Sequence, residues 1–366
     1  MPAARAIAFY LPQFHPVAEN DAWWGPGFTE WTNTAKAKPL FRGHYQPHVP
    51  ADLGFYDLRM AETRAAQAAL ARRYGIEAFC YYHYWFAGRR ILERPFDEVL
   101  ASGAPDFPFC LCWANETWTG VWHGAANRIL IEQTYPGAVD HAAHFSALRP
   151  AFADPRYVRV EGRPLFLLYK PEKLPDPAAT LALWRAMAAD AGLGGLYVVG
   201  MTARADWDPR AAGFDAKVVQ PLILRRGWVS RRRPLAWAKA RWQDWRRLPT
   251  ILSYPEFVDQ QMPRAVAGYD AYPCVVHDWD NTPRAGRNGV LFQGATPELF
   301  RRLLDGATAV LREKPPERRL LFLKAWNEWA EGNHLEPDLA TGHAWLREIA
   351  AALDVQADGA ASAETP

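Results

Sequence analysis

A (β/α)₈ barrel is the fold this sequence predicts, on three observations. Eight short β-branched or aromatic runs recur along 366 residues, each followed by polar loop and then by sequence of helical period. The runs are apolar throughout rather than alternating, which marks strands buried on both faces of a parallel sheet. Strand, loop and helix repeated eight times close into one barrel, and the length suits such a barrel with insertions. The rival is a doubly wound open sheet, which usually carries a glycine-rich phosphate turn after its first strand. Here that strand runs into Leu11-Pro12-Gln13-Phe14-His15-Pro16.

The expected strands are 5–14, 77–86, 108–116, 163–171, 196–202, 216–223, 272–281 and 320–329. Helical period is read over 56–74, 92–102, 138–152, 178–191, 254–267, 297–313 and 341–353. Thr296 before Pro297 and Glu298 has the chemistry of an N-cap, with proline at the first helical position and an acid in the first turn. Residues 203–215 make the weakest helix, interrupted by Pro209 and Gly213. The single catalytic domain is therefore 1–353, with an insertion near 224–250, and 354–366 reads as a disordered tail.

Apolar residues are 49% of the chain and charged ones 22%, the balance of a packed globular protein. A net charge of +2 gives no global attraction to nucleic acid. The aromatic share is 13%, with 17 tryptophans, which suits ligands that offer flat apolar faces, sugars among them; a bulky core is the alternative. Cys80, Cys110, Cys112 and Cys274 lie in strand runs, with no Cys/His pair beside them to complete a zinc site, so free buried thiols in a reducing compartment are expected. The start of the chain has one arginine and an apolar run of only six residues before Pro12, too short for a signal peptide or a membrane span. A cytoplasmic protein is expected.

Polar and aromatic residues crowd the strand ends, where barrels of this type place their active sites. Strand one leads to Gln13 and His15, strand two to Tyr82, His83 and Trp85, and strand three to Trp113, Asn115 and Glu116. Tyr169 and Lys170 end strand four, and Gln220 ends strand six. Strand seven brings His277, Asp278, Trp279 and Asp280, and strand eight Trp326, Asn327, Glu328 and Glu331. Each residue alone has a plain structural reading, His83 as a hydrogen-bonded barrel residue or Asp278 as a loop tie. Seven such ends together describe a solvent-filled mouth that binds something polar.

Two carboxyls flanking a glycosidic bond are the minimal apparatus for cleaving it. The proton donor of such a pair must stay protonated near neutral pH, and aromatic surroundings with a like charge nearby achieve that. Glu328 and Glu331, among Trp326 and Trp329, fit this requirement, and Glu116 arrives from across the barrel as a third carboxylate. Glu336, followed by Pro337, reads as structural. Metal ligation is not expected: His44 and His48 flank Pro47, which argues against a helical face, and His141 and His144 read as exposed on an outer helix. No nucleophile elbow of the G-x-S-x-G type appears. No cofactor is called for.

The stretches FYLPQFHP, NDAWWGPGFTEWTN, GIEAFCYYHYWF, FCLCWANETW and KAWNEWAEGNHLEP together resemble the glycoside hydrolase family 99-like proteins. The resemblance is closest to the WbsX-like branch found in bacterial O-antigen and capsule gene clusters, often described as glycosyltransferases. It spans about residues 5–350 and is weak over 224–250. It implies a (β/α)₈ barrel that cuts glycosidic bonds without a metal and with retention, the sugar's own 2-hydroxyl attacking to give a 1,2-anhydro sugar. By position, Glu328 would assist the 2-hydroxyl and Glu331 would act as acid and then base. Asn115–Glu116 resembles a motif of the polysaccharide-cluster branch.

Three functions are then open. The chain is a glycosidase acting on a surface polysaccharide or its lipid-linked precursor, a transferase or transglycosylase in lipopolysaccharide or capsule assembly, or an inactive glycan-binding barrel. Both glutamates are present, which argues against the third. In the long first loop, 15–55, Trp24 and Trp31 are candidates to line a sugar subsite, or to pin the loop. Residues 224–248 hold nine Lys/Arg and one acid interleaved with tryptophan. That suits peripheral contact with an anionic membrane, or a solvated insertion packed on the barrel.

Overall fold

The structure is a computed structural model, and it describes residues 2–120, 125–204, 206–221, 238, 241–243 and 245–356. Eight parallel strands form the barrel: β1 Arg5–Tyr10, β2 Ile76–His83, β3 Phe109–Trp113, β4 Arg163–Leu168, β5 Tyr197–Thr202, β6 Ala216–Val219, β7 Asp270–Val276 and β8 Leu320–Lys324. Each pairs with the next, and β8 returns to β1 with Arg5 opposite Leu320, so no edge remains open. The eight expected runs are the eight strands. Every expected run but the fifth overshot its strand at the C-terminal end, by three to five residues, because the motif that follows turns out of the sheet to face the mouth; the fifth ends at Thr202 as expected.

Around the barrel lie α1 Ala18–Trp24, α2 Glu30–Lys36, α3 Ala61–Arg73, α4 Arg94–Ser102, α5 Ala138–Ala153 and α6 Pro177–Asp190. They are followed by α7 Tyr254–Gln261, α8 Thr282–Ala285, α9 Pro297–Arg312 and α10 Ala344–Ala352. Thr296 does cap α9, its hydroxyl accepting the Leu299 N–H. The weak segment 203–215 holds only a 3₁₀ turn at Pro209–Ala212, as its proline and glycine require. Packing of the chain end continues to Val355, two residues into the expected tail, while 357–366 lie outside the described residues.

Three features were not legible as elements. The first loop folds into α1 and α2 rather than remaining irregular, hairpins form at Trp85–Phe86 with Arg89–Arg90 and at Trp118–Gly120 with Ala125–Ile131, and Thr250–Ser253 pairs in parallel with Val290–Gln293. The exposed reading of His141 and His144 is corrected. Both are buried, because their three-residue spacing puts them on the face of α5 that packs against the barrel. His144 stacks on Trp85 at 4.7 Å and meets His83, with the two Nε2 atoms 2.9 Å apart. Burial drives both His83 and His144 toward the neutral form, His83 down to about 3. All four cysteines are buried and unpaired.

Candidate active site

The strand ends open into a pocket of about 240 Å³, lined from the first loop, β2, β3, β4, α8 and β8. Its construction starts from two asparagines. Asn327 accepts the Leu11 N–H at 2.7 Å and donates to the Leu11 carbonyl at 3.0 Å, extending the β8–β1 ladder by one side-chain step. Asn115 does the same with Lys170, at 2.8 Å in both directions, between β3 and β4. With each asparagine spent on backbone, the next residue turns inward. Those residues are Glu328 and Glu116, and both line the pocket.

Glu328, Glu331 and Glu30 converge on Arg284. Its guanidinium reaches Glu30 at 2.7 Å, Glu331 at 2.6 Å and Glu328 at 3.2 Å. All four are nearly enclosed, so the cation is held charged by three carboxylates that would otherwise repel one another. Burial first and the Glu331 charge second lift Glu328 to about 7; Arg284 and Lys324 oppose that rise. The family parallel gives the proton-donating role to Glu331 and the base role to Glu328. The Tyr82 and Tyr84 hydroxyls, also in the lining, are raised by burial and then by Glu328.

Arg284 can reach this position because two loops cross at Gly332. Asp280 N donates to the Glu331 carbonyl at 2.6 Å, and a Cβ on Gly332 would sit 2.9 Å from Asp280. Gly332 also holds φ +57°, so both space and backbone ask for glycine there. Asp280 in turn accepts from His44, Gln46 and the Thr282 N–H, which fixes the start of α8 and with it Arg284.

Of the residues singled out from sequence, Gln13, Trp24, Tyr82, Glu116, Tyr169, Glu328 and Glu331 line the pocket. The others stand behind or beside it. Trp113 and Trp326 are fully buried in the core. Trp31 packs between Phe14, Tyr56 and Trp329 and donates to the Tyr56 carbonyl, so it pins the loop. His15 is enclosed and tied to the Pro12 carbonyl, and His83 and Trp85 belong to the His144 stack. Asn115 and Asn327 are spent on backbone. Lys170 stands 3.8 Å from Glu116, and Gln220 is half-buried beyond the lining. Asp278, raised to about 7 by burial, receives the Trp279 N–H, and Trp279 lies under Lys324. Glu336 is a structural hub, accepting from Tyr56, Gln67 and Trp329.

The other lining residues escaped the sequence reading, among them the charged and amide side chains of Asn20, Glu30, Asn33, Arg284 and Lys324. Lys324 is the polar end of an apolar strand, the same signal that had marked Lys170. Its ammonium lies 5.1 Å from the Trp279 ring centroid, with no carboxylate within ion-pair distance among the described residues. Asn20 and Asn33 are buried with side-chain amide atoms lacking protein partners. Their signal was the helical spacing to Trp24 and Glu30, visible only once α1 and α2 are recognised as helices. The sequence also gave no hint of a ligand cluster, yet His48, His334 and Asp338, none of them in the pocket lining, come together from segments far apart in the chain. The basic segment 224–248 lies mostly outside the described residues; within it Trp242 and Trp245 are exposed. Among the described residues no helix is long and apolar enough to cross a membrane.

Known structures share this architecture. A protein titled "Glycoside hydrolase-like protein" superposes with TM-score 0.60 at 15% identity, over 96% of this chain and 94% of its own. The GH99 endo-alpha-mannosidase from Bacteroides thetaiotaomicron superposes with TM-score 0.52 at 14% identity, over 96% of both chains. At these identities the likeness is one of fold, the (β/α)₈ barrel. In sequence, the chain is 42% identical over 344 residues to "Uncharacterized protein WxcX" of two Xanthomonas campestris pv. campestris strains. The match covers 94% of this chain and 48% of each relative, so the chain spans about half their length. The pattern of one family, described as "Glycosyltransferase WbsX", runs through residues 6–349, and the chain belongs to that family.

Proposed function

We propose that the chain cleaves glycosidic bonds in a bacterial surface polysaccharide or its lipid-linked precursor, with Glu328 and Glu331 as the working carboxyls. One observation carries this reading: the two glutamates meet on Arg284 at the wall of a polar, aromatic-lined pocket at the barrel mouth. Following the family parallel, Glu328 takes the proton of the sugar's 2-hydroxyl as O2 attacks the anomeric carbon. Glu331 gives its proton to the departing oxygen, and a 1,2-anhydro sugar forms. Glu331 then removes a proton from water, which opens that ring, and Glu328 returns its proton to O2. A base that titrates near 7 is well matched to taking a proton at neutral pH. Trp24 and Tyr169 offer rings for sugar faces, while Gln13, Asn20, Asn33 and Lys324 offer groups for hydroxyls.

A second reading, bond formation, is favoured by the family's description as a glycosyltransferase. In this site it takes the form of transfer of the same intermediate to another sugar hydroxyl. Direct use of a nucleoside diphosphate sugar fits less well, because four carboxyls in the lining face only two cations, Arg284 and Lys324, and would repel a diphosphate. Incubation with polysaccharide from the host, with and without an acceptor glycan, separates the two. Released oligosaccharides mean cleavage, lengthened acceptor means transfer, and neither product would sink both readings.

A further inference from the structure

We propose that His48, His334 and Asp338 form a structural site for a divalent transition metal of the zinc class, separate from the pocket and independent of the catalytic reading. All three are buried. His48 comes from the first loop and His334 and Asp338 from the loop after β8, so an ion there would clamp the two loops together.

The distances favour an ion. His48 Nδ1 and His334 Nε2 are 2.8 Å apart, and Asp338 Oδ2 is 3.7 Å from the first and 3.9 Å from the second. Ligands about 2.0–2.2 Å from a tetrahedral zinc lie roughly 3.3–3.5 Å from each other. The three observed edges bracket that span, and opening the ring pair by about half an ångström while Asp338 draws in by a few tenths would bring all three to it.

The protons are placed for it too. His334 Nδ1 lies 2.9 Å from the Glu336 carbonyl, which can only accept, so Nδ1 carries the hydrogen and the Nε2 lone pair faces the cluster. That backbone support is the usual partner of a metal-binding imidazole. His48 then donates from Nδ1; on binding, its proton passes to Nε2 and the freed lone pair takes the ion, with no net proton lost. Asp338 Oδ1 is fixed by the Ala340 and Thr341 N–H groups and the Thr341 hydroxyl. Its Oδ2 makes no hydrogen bond among the described residues and faces the two rings. A plain histidine clamp would leave that oxygen without a purpose; a cation uses it.

The site's role follows from what it supports. His334 stacks on Trp329 at 3.7 Å, and Trp329 sits in the chain between Glu328 and Glu331. A bound ion would stiffen the segment that carries both carboxyls and take no part in the chemistry.

The test uses the full chain, stripped with a chelator and then titrated with Zn²⁺ against a chromophoric competitor. One zinc per chain is expected, with a higher Tm when bound and at least a 100-fold weaker affinity in Asp338→Asn and in His48→Gln. No stoichiometric uptake by the wild-type chain, or unchanged affinity in both variants, overturns the proposal. Cobalt in place of zinc keeps the test decisive if a variant fails to fold. A tetrahedral nitrogen–oxygen spectrum supports the site, whereas a thiolate charge-transfer band would move the metal to the cysteines and overturn it.

Discussion

Asn115–Glu116 at the end of β3 and Asn327–Glu328 at the end of β8 are the same dipeptide in the same local arrangement. Each asparagine closes a pair of backbone hydrogen bonds to the neighbouring strand end, and each glutamate then enters the pocket. What surrounds them differs. Glu116 keeps 45% of its side chain exposed and has a lysine at 3.8 Å, while Glu328 is enclosed and shares an arginine with two more carboxylates. Both are pushed upward by burial, but Glu328 alone has a second carboxylate as its next-largest cause, and it reaches about 7. The comparison teaches that strand-end geometry delivers a carboxyl, and the crossing loop decides what that carboxyl can do.

The largest expected effect tests that division. Glu328→Gln and Glu331→Gln should each cost roughly 10²- to 10⁴-fold in turnover, the usual scale of general acid–base catalysis. Glu116→Gln should change KM more than kcat. On an activated aryl glycoside Glu331→Gln should recover part of its first-step rate, since that leaving group needs no proton, and Glu328→Gln should not. If Glu116→Gln is the variant that loses turnover, the two dipeptides have been assigned the wrong way round.

Arg284→Gln comes next, because it removes what distinguishes the two sites. Losing one partner of a buried ion cluster destabilises by roughly 3–5 kcal/mol, reduced here because the stranded carboxyls can take up protons. Arg284 favours ionised Glu328, so its loss raises that group further above the unfolded value of 4.5. A group raised on folding contributes stability that is present below its unfolded pKa and lost as pH rises through the folded one. The variant should therefore be weakest above pH 7 in denaturant melts, and the acid limb of kcat/KM should move to higher pH. A deficit equal at pH 5 and pH 8 would show that the carboxyls do not feel Arg284.

The barrel and the carboxyl-bearing strand ends were legible because each rests on local pattern: an apolar run sets a strand, and the next polar residues must face the mouth. Arg284 was not legible, for the opposite reason. Its place depends on Gly332 letting the β7 and β8 loops cross, a contact made across 52 residues of sequence that no local periodicity encodes. Asn20 and Asn33 were hidden because short helices inside a loop give too few turns for a period to stand out. His144 misled for a related cause: α5 has an inner face, and polarity alone does not tell which face a histidine occupies.

A third, smaller effect concerns the asparagines themselves. Asn327→Ala strands the Leu11 N–H and carbonyl deep in the barrel, at roughly 1–3 kcal/mol for each buried group left unpaired. Asn115→Ala opens the same two groups on Lys170, but beside the half-exposed Glu116, where water can replace the amide. The Asn327 variant should therefore melt at lower denaturant, with unchanged slope. Equal losses would mean that the β3 end is as dry as the β8 end.

The smallest effect is expected at Lys170, and its size is the point. The Lys170–Glu116 pair is long at 3.8 Å and partly solvated on both sides, a geometry in which ion pairs contribute about 0–1 kcal/mol. Lys170→Met should therefore leave stability within about 0.5 kcal/mol of the wild type, since the backbone of residue 170, not its ammonium, holds Asn115. The charge should still register on Glu116. Among the influences on that carboxyl, burial raises it and Lys170 is the first to lower it, so removing the lysine should move its titration upward. Carbon-detected NMR of Glu116 across pH 4–8 reads that shift directly, with Glu328 as the internal comparison. Glu328 should not move, because its cations are Arg284 and Lys324. A shift of both glutamates together would mean that the pocket titrates as one charge system, and the contrast between the two strand ends would then be one of depth alone.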